Sequence, residues 1–136
     1  MRIRNKERLF RFLFWIWLSI IIIISSIPGL STPKINIIKF EFRLDYVFHF
    51  FIYLIFSIIF FLWKINGKKQ RKFNLLSIMI ILSVILAVFD EFHQMLIPGR
   101  TFNPVDLIFN CAGLFTGFIF SIILFRKKNA LRSFYK

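Results

Sequence analysis

Four long apolar runs divide the chain, and each is bounded by a polar or helix-breaking stretch. The first extends from about Leu9 to Ile27 and is closed by Pro28-Gly29. The second extends from about Asp45 to Ile65 and meets the basic turn Asn66-Gly67-Lys68-Lys69-Gln70-Arg71-Lys72. The third covers about Phe73 to Leu96 and stops before Pro98-Gly99; the fourth starts at Pro104 and ends at Phe125, ahead of Arg126-Lys127-Lys128. A helix rising ~1.5 Å per residue needs about 20 residues to cross ~30 Å of hydrocarbon, and all four runs meet that length. The pattern predicts an all-α integral membrane protein, a compact bundle of four transmembrane helices forming a single domain over residues 1–136. A polar connection, Leu30 to Leu44, is expected between the first two spans.

Composition agrees with this reading. With 58% hydrophobic and 18% charged residues, the chain is too apolar and too evenly blocked for a soluble domain. The net charge of +13 does not indicate nucleic-acid binding, because Lys and Arg flank the apolar runs instead of forming a stripe. Arg2, Arg4, Lys6 and Arg8 before the first run give it the outline of a signal peptide. The run is longer than a usual h-region, however, and Ser25-Ser26-Ile27-Pro28-Gly29 offers no small-x-small cleavage site, so a retained helix is expected. Cys111 is the sole cysteine, which excludes an intrachain disulfide.

Basic residues also orient the spans. Five lie before or at the start of the first run, five around the turn between spans two and three, and five in the C-terminal tail. The other two connections hold three (Lys34, Lys39, Arg43) and one (Arg100). Fifteen against four predicts both termini on the cytoplasmic side of the membrane, with the basic tail on anionic lipid. Trp15, Trp17 and Trp63 are expected as interfacial anchors or lipid-facing bulk in the inner halves of their spans.

The acids distribute oppositely. Of six, only Glu7 falls on the inner side, whereas Glu41, Asp45, Asp90, Glu91 and Asp106 fall on or near the outer side. Asp90 and Glu91 stand ~25 Å along the third span, level with Asp45 and His49 in the second and Asp106 and Asn110 in the fourth. Spacing assigns faces as well. Asp45, His49 and Tyr53 recur at i, i+4, i+8; Asp90 and Gln94 are i, i+4; Asp106, Asn110, Gly113 and Gly117 share one face. Polar groups at membrane depth turn away from lipid, so these stripes should face one another. Gly113 and Gly117 form a small-xxx-small pair suited to close helix packing. Asn103 suits an N-cap and Pro104 the first helical position. Arg100 beside that helix start would either hold a phosphate or carboxylate or pair with Asp90, Glu91 or Asp106.

Asp90-Glu91-x-x-Gln94, Gly99-Arg100, and Asp106-x-x-x-Asn110-x-x-Gly113-x-x-x-Gly117, with Asp45-x-x-x-His49-Phe50-x-x-Tyr53 upstream, resemble the signature of the VanZ-like membrane proteins. The match extends over residues 45–117 and departs at Tyr46, where a Lys commonly follows the Asp. The resemblance implies a four-helix membrane domain of the bacterial cell envelope, linked to low-level teicoplanin resistance.

Three functions fit the polar cluster. In the first, Asp45, His49, Tyr53, Asp90, Glu91, Gln94, Arg100, Asp106 and Asn110 bind an outer-leaflet ligand. That ligand is a lipid-linked envelope precursor or a glycopeptide, with membrane lipid around it. In the second, the protein is a hydrolase or transferase, with Glu91 or Asp90 as general base, His49 or His93 as proton carrier and Arg100 as electrophilic clamp. In the third, the cluster only holds the helices together for a partner protein. No cofactor motif is present. No metal site is expected either, because Asp90-Glu91-Phe92-His93 is no established ligand spacing.

Overall fold

The computed structural model describes the backbone of residues 2–28, 34–37, 40–66 and 72–134, and the side chains within 5–28, 43–66 and 75–127. The stretches 29–33 and 67–71, which hold the start of the polar connection and most of the basic turn, lie outside the described residues. Four helices account for most of the fold: α1 (Arg2–Ser25), α2 (Leu44–Ile65), α3 (Lys72–Gln94) and α4 (Pro104–Phe134). All four are long and apolar enough to cross a membrane.

Helix ends follow local chemistry more closely than hydropathy does. The first helix begins at Arg2 instead of near residue 9, because its basic flank is helical too. It stops at Ser25, where Ile27 N–H donates to Ile24 O at 3.3 Å and tightens the last turn before Pro28. The third helix ends at Gln94, two residues short of expectation. Three successive i→i+3 bonds, from Met95, Leu96 and Ile97, then close it. Pro98 and Gly99 occupy the centre of the following turn, in which Arg100 N–H donates to Ile97 O at 3.1 Å and Gly99 has φ 79°. That is a type II pattern, which demands glycine at its third position. The fourth helix continues past Phe125 to Phe134, since residues 126–134 contain neither Gly nor Pro to stop it.

The connection before α2 is not merely polar. Two short strands, β1 (Lys34–Ile37) and β2 (Phe40–Arg43), pair antiparallel with Lys34 opposite Arg43 and Ile37 opposite Phe40. Lys-Ile-Asn-Ile and Phe-Glu-Phe-Arg alternate polar and apolar residues, the period of a strand.

Helices α2 and α4 are in backbone contact. A Cβ built on Gly113 would fall 2.2 Å from Phe50 O, and one on Gly117 would fall 2.6 Å from Leu54 O and 2.0 Å from Ser57 Oγ. Deeper toward the basic-turn end, Phe14 of α1 packs among Phe56, Phe60 and Trp63 with ring centroids 4.8–5.3 Å apart. Trp17 is an interhelical tie as well as apolar bulk, because its Nε1–H donates to Ile52 O at 3.0 Å. Trp15 is exposed, as a lipid-facing side chain would be. On α3, Ile78, Ile81, Leu82, Ile85, Phe89 and Phe92 stand exposed along one side, a surface matched to lipid and not to water.

Candidate functional site

The polar residues gather where α1 ends, α2 begins, α3 ends and α4 begins, beside the β-hairpin. Each helix delivers its share through spacing alone. On α2, Asp45, His49 and Tyr53 fall one above another, and all three line a cavity of about 340 Å³. Asp90 and Gln94 of α3 line it from the same depth, and Arg100 reaches it from the α3–α4 connection. Six of the nine predicted ligand-binding residues therefore meet at one cavity.

Its remaining wall is apolar and comes mostly from α1. Ile21, Ile24 and Ile27 face Phe48 and Ile52 across it, and Ser25 adds a hydroxyl. Ser25 is buried, and its Oγ has no hydrogen-bond partner among the described residues. None of these α1 residues is marked by an acid, a base or a motif. The available signal was the Ser25-Ser26 pair ending an apolar run.

Glu91, Asn110 and Asp106 do not line the cavity. They lie behind it, between α2, α3 and α4, joined through His49. Asn110 Nδ2 donates to Glu91 Oε1 at 3.1 Å, and His49 Nδ1 lies 2.9 Å from Asn110 Oδ1. The same ring stands 3.9 Å from both Glu91 Oε1 and Asp106 Oδ2. Glu91 is adjacent in sequence to Asp90, but the ~100° step of a helix turns it toward α4 and leaves it fully buried. On the cavity side Tyr53 OH donates to Asp90 Oδ2 at 3.0 Å. Asp45 is ion-paired with Arg43, the residue preceding α2. An acid in that first turn also suits the partial positive charge of the helix start.

Arg100 does not pair with Asp90, Glu91 or Asp106. Its Nη1 donates to Ile24 O and Ser25 O, both at 3.2 Å, and so caps the carbonyl end of α1. Among the described residues, no Lys or Arg lies within 4.0 Å of the carboxylates of Asp90, Glu91 or Asp106. His93 reinforces the same junction: its Nε2 lies 2.9 Å from Ser26 Oγ, and its ring stacks on Phe89. Asn103 caps α4, accepting from Val105 N–H at 3.0 Å.

A sequence model of the family described as VanZ/LLP1 matches residues 9–126. The chain belongs to the VanZ/LLP1 family. With four helices able to span a bilayer, this VanZ/LLP1 protein is a multi-pass membrane protein. Neither the curated proteins nor the solved structures contain a significant match. The matched region takes in all four spans, so the cavity and the cluster behind it both lie within the family domain.

Proposed function

We propose that this VanZ/LLP1 protein binds an amphiphile of the bacterial cell envelope in the outer half of the cytoplasmic membrane. The ligand class is a lipid-linked precursor or a glycopeptide, and the consequence is altered teicoplanin susceptibility. The observation that carries the reading is the cavity, with one wall of isoleucine and phenylalanine and a rim of Asp45, His49, Asp90, Gln94 and Arg100. Its 340 Å³ falls in the range of about 300–1,000 Å³ usual for small-ligand sites. A prenyl or acyl segment suits the apolar wall. Hydroxyls and amides of a head group suit the unpartnered Ser25 hydroxyl, Gln94 and Asp90. Arg100, held at the α1 terminus, supplies positive charge at the cavity edge for a phosphate or carboxylate. The outward direction of this end rests on the distribution of Lys and Arg, fifteen against four.

Binding is favoured over catalysis on reach. Glu91, the strongest sequence candidate for a general base, is fully buried off the cavity wall, and a base must come within about 2.6–3.2 Å of the proton it takes. His49 and Asp90 line the cavity but, among the described residues, have no activated nucleophile beside them in the pattern of a hydrolase.

The test is native mass spectrometry of the purified full chain with bacterial envelope lipids, wild type against His49→Ala. Retention of an anionic lipid-linked species at unchanged mass by wild type, and its loss from the variant, is expected. Conversion of that lipid to a new mass would replace binding with an enzymatic reading. Retention of bulk phospholipid alone would overturn both.

A further inference from the structure

The buried acids around His49 are short of basic partners among the described residues. Asp90, Glu91 and Asp106 are each at most 5% exposed, and the only basic side chain within 4.0 Å of any of them among the described residues is the His49 ring, which approaches Glu91 and Asp106. Arg43 is engaged by Asp45, and Arg100 by the α1 carbonyls. Glu91 Oε2 and Asp106 Oδ1 are buried with no partner at close hydrogen-bonding distance; the backbone of Asn103 stands near Glu91 and its side chain near Asp106. A buried carboxylate oxygen left unpaired is costly and demands a partner.

We propose that His49, Asp90 and Glu91 hold a divalent transition-metal cation at the inner wall of the cavity. One ring nitrogen of His49 and one oxygen from each carboxylate lie within 4.8 Å of one another. Ligand atoms ~2.1 Å from a shared ion stand ~3.0–4.2 Å apart, so small side-chain adjustments complete the set. The three residues come from two helices, with Asp90 and Glu91 in tandem on α3 and His49 facing them from α2. Spacing along the chain therefore gave no hint of the set. One imidazole and two carboxylates suit Mn²⁺, Fe²⁺ or Zn²⁺ better than Ca²⁺, which prefers six to eight oxygens. Partners that orient the ligands are in place. Tyr53 OH donates to Asp90 Oδ2, and Asn110 bridges Glu91 and His49. Both contacts are of the kind that fixes metal ligands from outside. A divalent cation would offset the two carboxylates that hold it, Asp90 and Glu91, and its open coordination positions would accept an oxygen of a head group in the cavity. The site itself rests on the His49–Asp90–Glu91 geometry and not on the ligand reading above.

The experiment titrates Mn²⁺ alone into the purified, chelator-stripped full chain in nanodiscs, with no envelope lipid added, and follows it by electron paramagnetic resonance. One ion per chain is expected, with nitrogen modulation from a single imidazole in the pulsed spectrum. His49→Gln should abolish that modulation, and Glu91→Gln should weaken binding by more than the ~10–100-fold typical of losing an outer partner. Tyr53→Phe, a positioning change, should weaken binding by about tenfold and keep the nitrogen signal. His93→Ala should alter neither, and monodispersity on gel filtration shows which variants fold. Absence of bound Mn²⁺, a bound ion without nitrogen modulation, or modulation lost with His93 instead of His49 would each overturn the site. Failure of lipid retention with the Mn²⁺ signal intact would overturn only the ligand reading.

Discussion

Replacing Gly113 by alanine tests whether the contact between α2 and α4 organises the site. The added Cβ would lie 2.2 Å from Phe50 O and 3.0 Å from both Leu54 N and Phe50 C, all backbone atoms. No rotamer relieves that overlap. Ordinary contact at ~3.4 Å requires the helices to part by about 1 Å, and in lipid such packing is much of what holds helices together. Overpacking of this kind costs about 1–3 kcal/mol. The effect should reach the polar cluster, because Asn110 lies one turn from Gly113 on α4. Its 2.9 Å contact with His49 would stretch beyond hydrogen-bonding range if the helices separated by ~1 Å. Thermal unfolding in one detergent, followed by circular dichroism, compares Gly113→Ala with Thr116→Ala on the exposed side of the same helix. The first should be destabilised by the amount above, and the second should stay within about 0.5 kcal/mol of wild type. Gly113→Ala at wild-type stability would refute the backbone contact and the register that aligns Asn110 with His49.

Three further outcomes are expected. Trp17→Phe keeps an aromatic ring but loses the bond to Ile52 O, so unfolding should show a loss of about 0.5–1.5 kcal/mol; no loss would remove that tie between α1 and α2. Arg100→Gln should leave the helices intact while hydrogen exchange at the Ser26 and Ile27 amides rises, because the α1 carbonyls lose their cap; if exchange rises at Asp106 instead, Arg100 serves the acids. A reporter fused after Lys136 that is active only in the cytoplasm should be active, as the Lys and Arg distribution requires; activity only of an exported reporter would invert the site.

Much of this arrangement was legible in the sequence, because membrane helices announce themselves by length and their polar residues by depth. Asp45, His49 and Tyr53 needed only i, i+4 spacing to be set on one line, and Asn103-Pro104 marked the start of α4. The misses have specific causes. The alternation in residues 34–37 and 40–43 is only four residues long in each strand, too short to stand out beside spans of twenty. The α1 wall was illegible because isoleucines facing a cavity and isoleucines facing lipid look alike in sequence. Arg100 near three acids suggested an ion pair by composition. Its capping of α1 is a contact across 75 residues that no local pattern encodes.

The cluster first read as one group separates into two with different physics. Residues on the cavity wall keep polar atoms available to something outside the protein: Ser25, Gln94, the Asp90 carboxylate and the His49 ring. Glu91, Asn110 and Asp106 lie off the cavity wall, between helices whose backbones touch at Gly113 and Gly117. A purely structural role explains the second group alone, and poorly, since an unpaired buried carboxylate oxygen weakens a fold more than a packed apolar side chain would. Nor does it explain a cavity at the level where four helices could have closed on one another. The acids cost stability where they stand, and that cost is intelligible if His49 links them to what occupies the cavity. The α1 helix is the fourth wall, tied at Trp17, just past its end at Ser26, and at its Arg100-capped terminus, while α2, α3 and α4 carry the acids, His49 and Asn110.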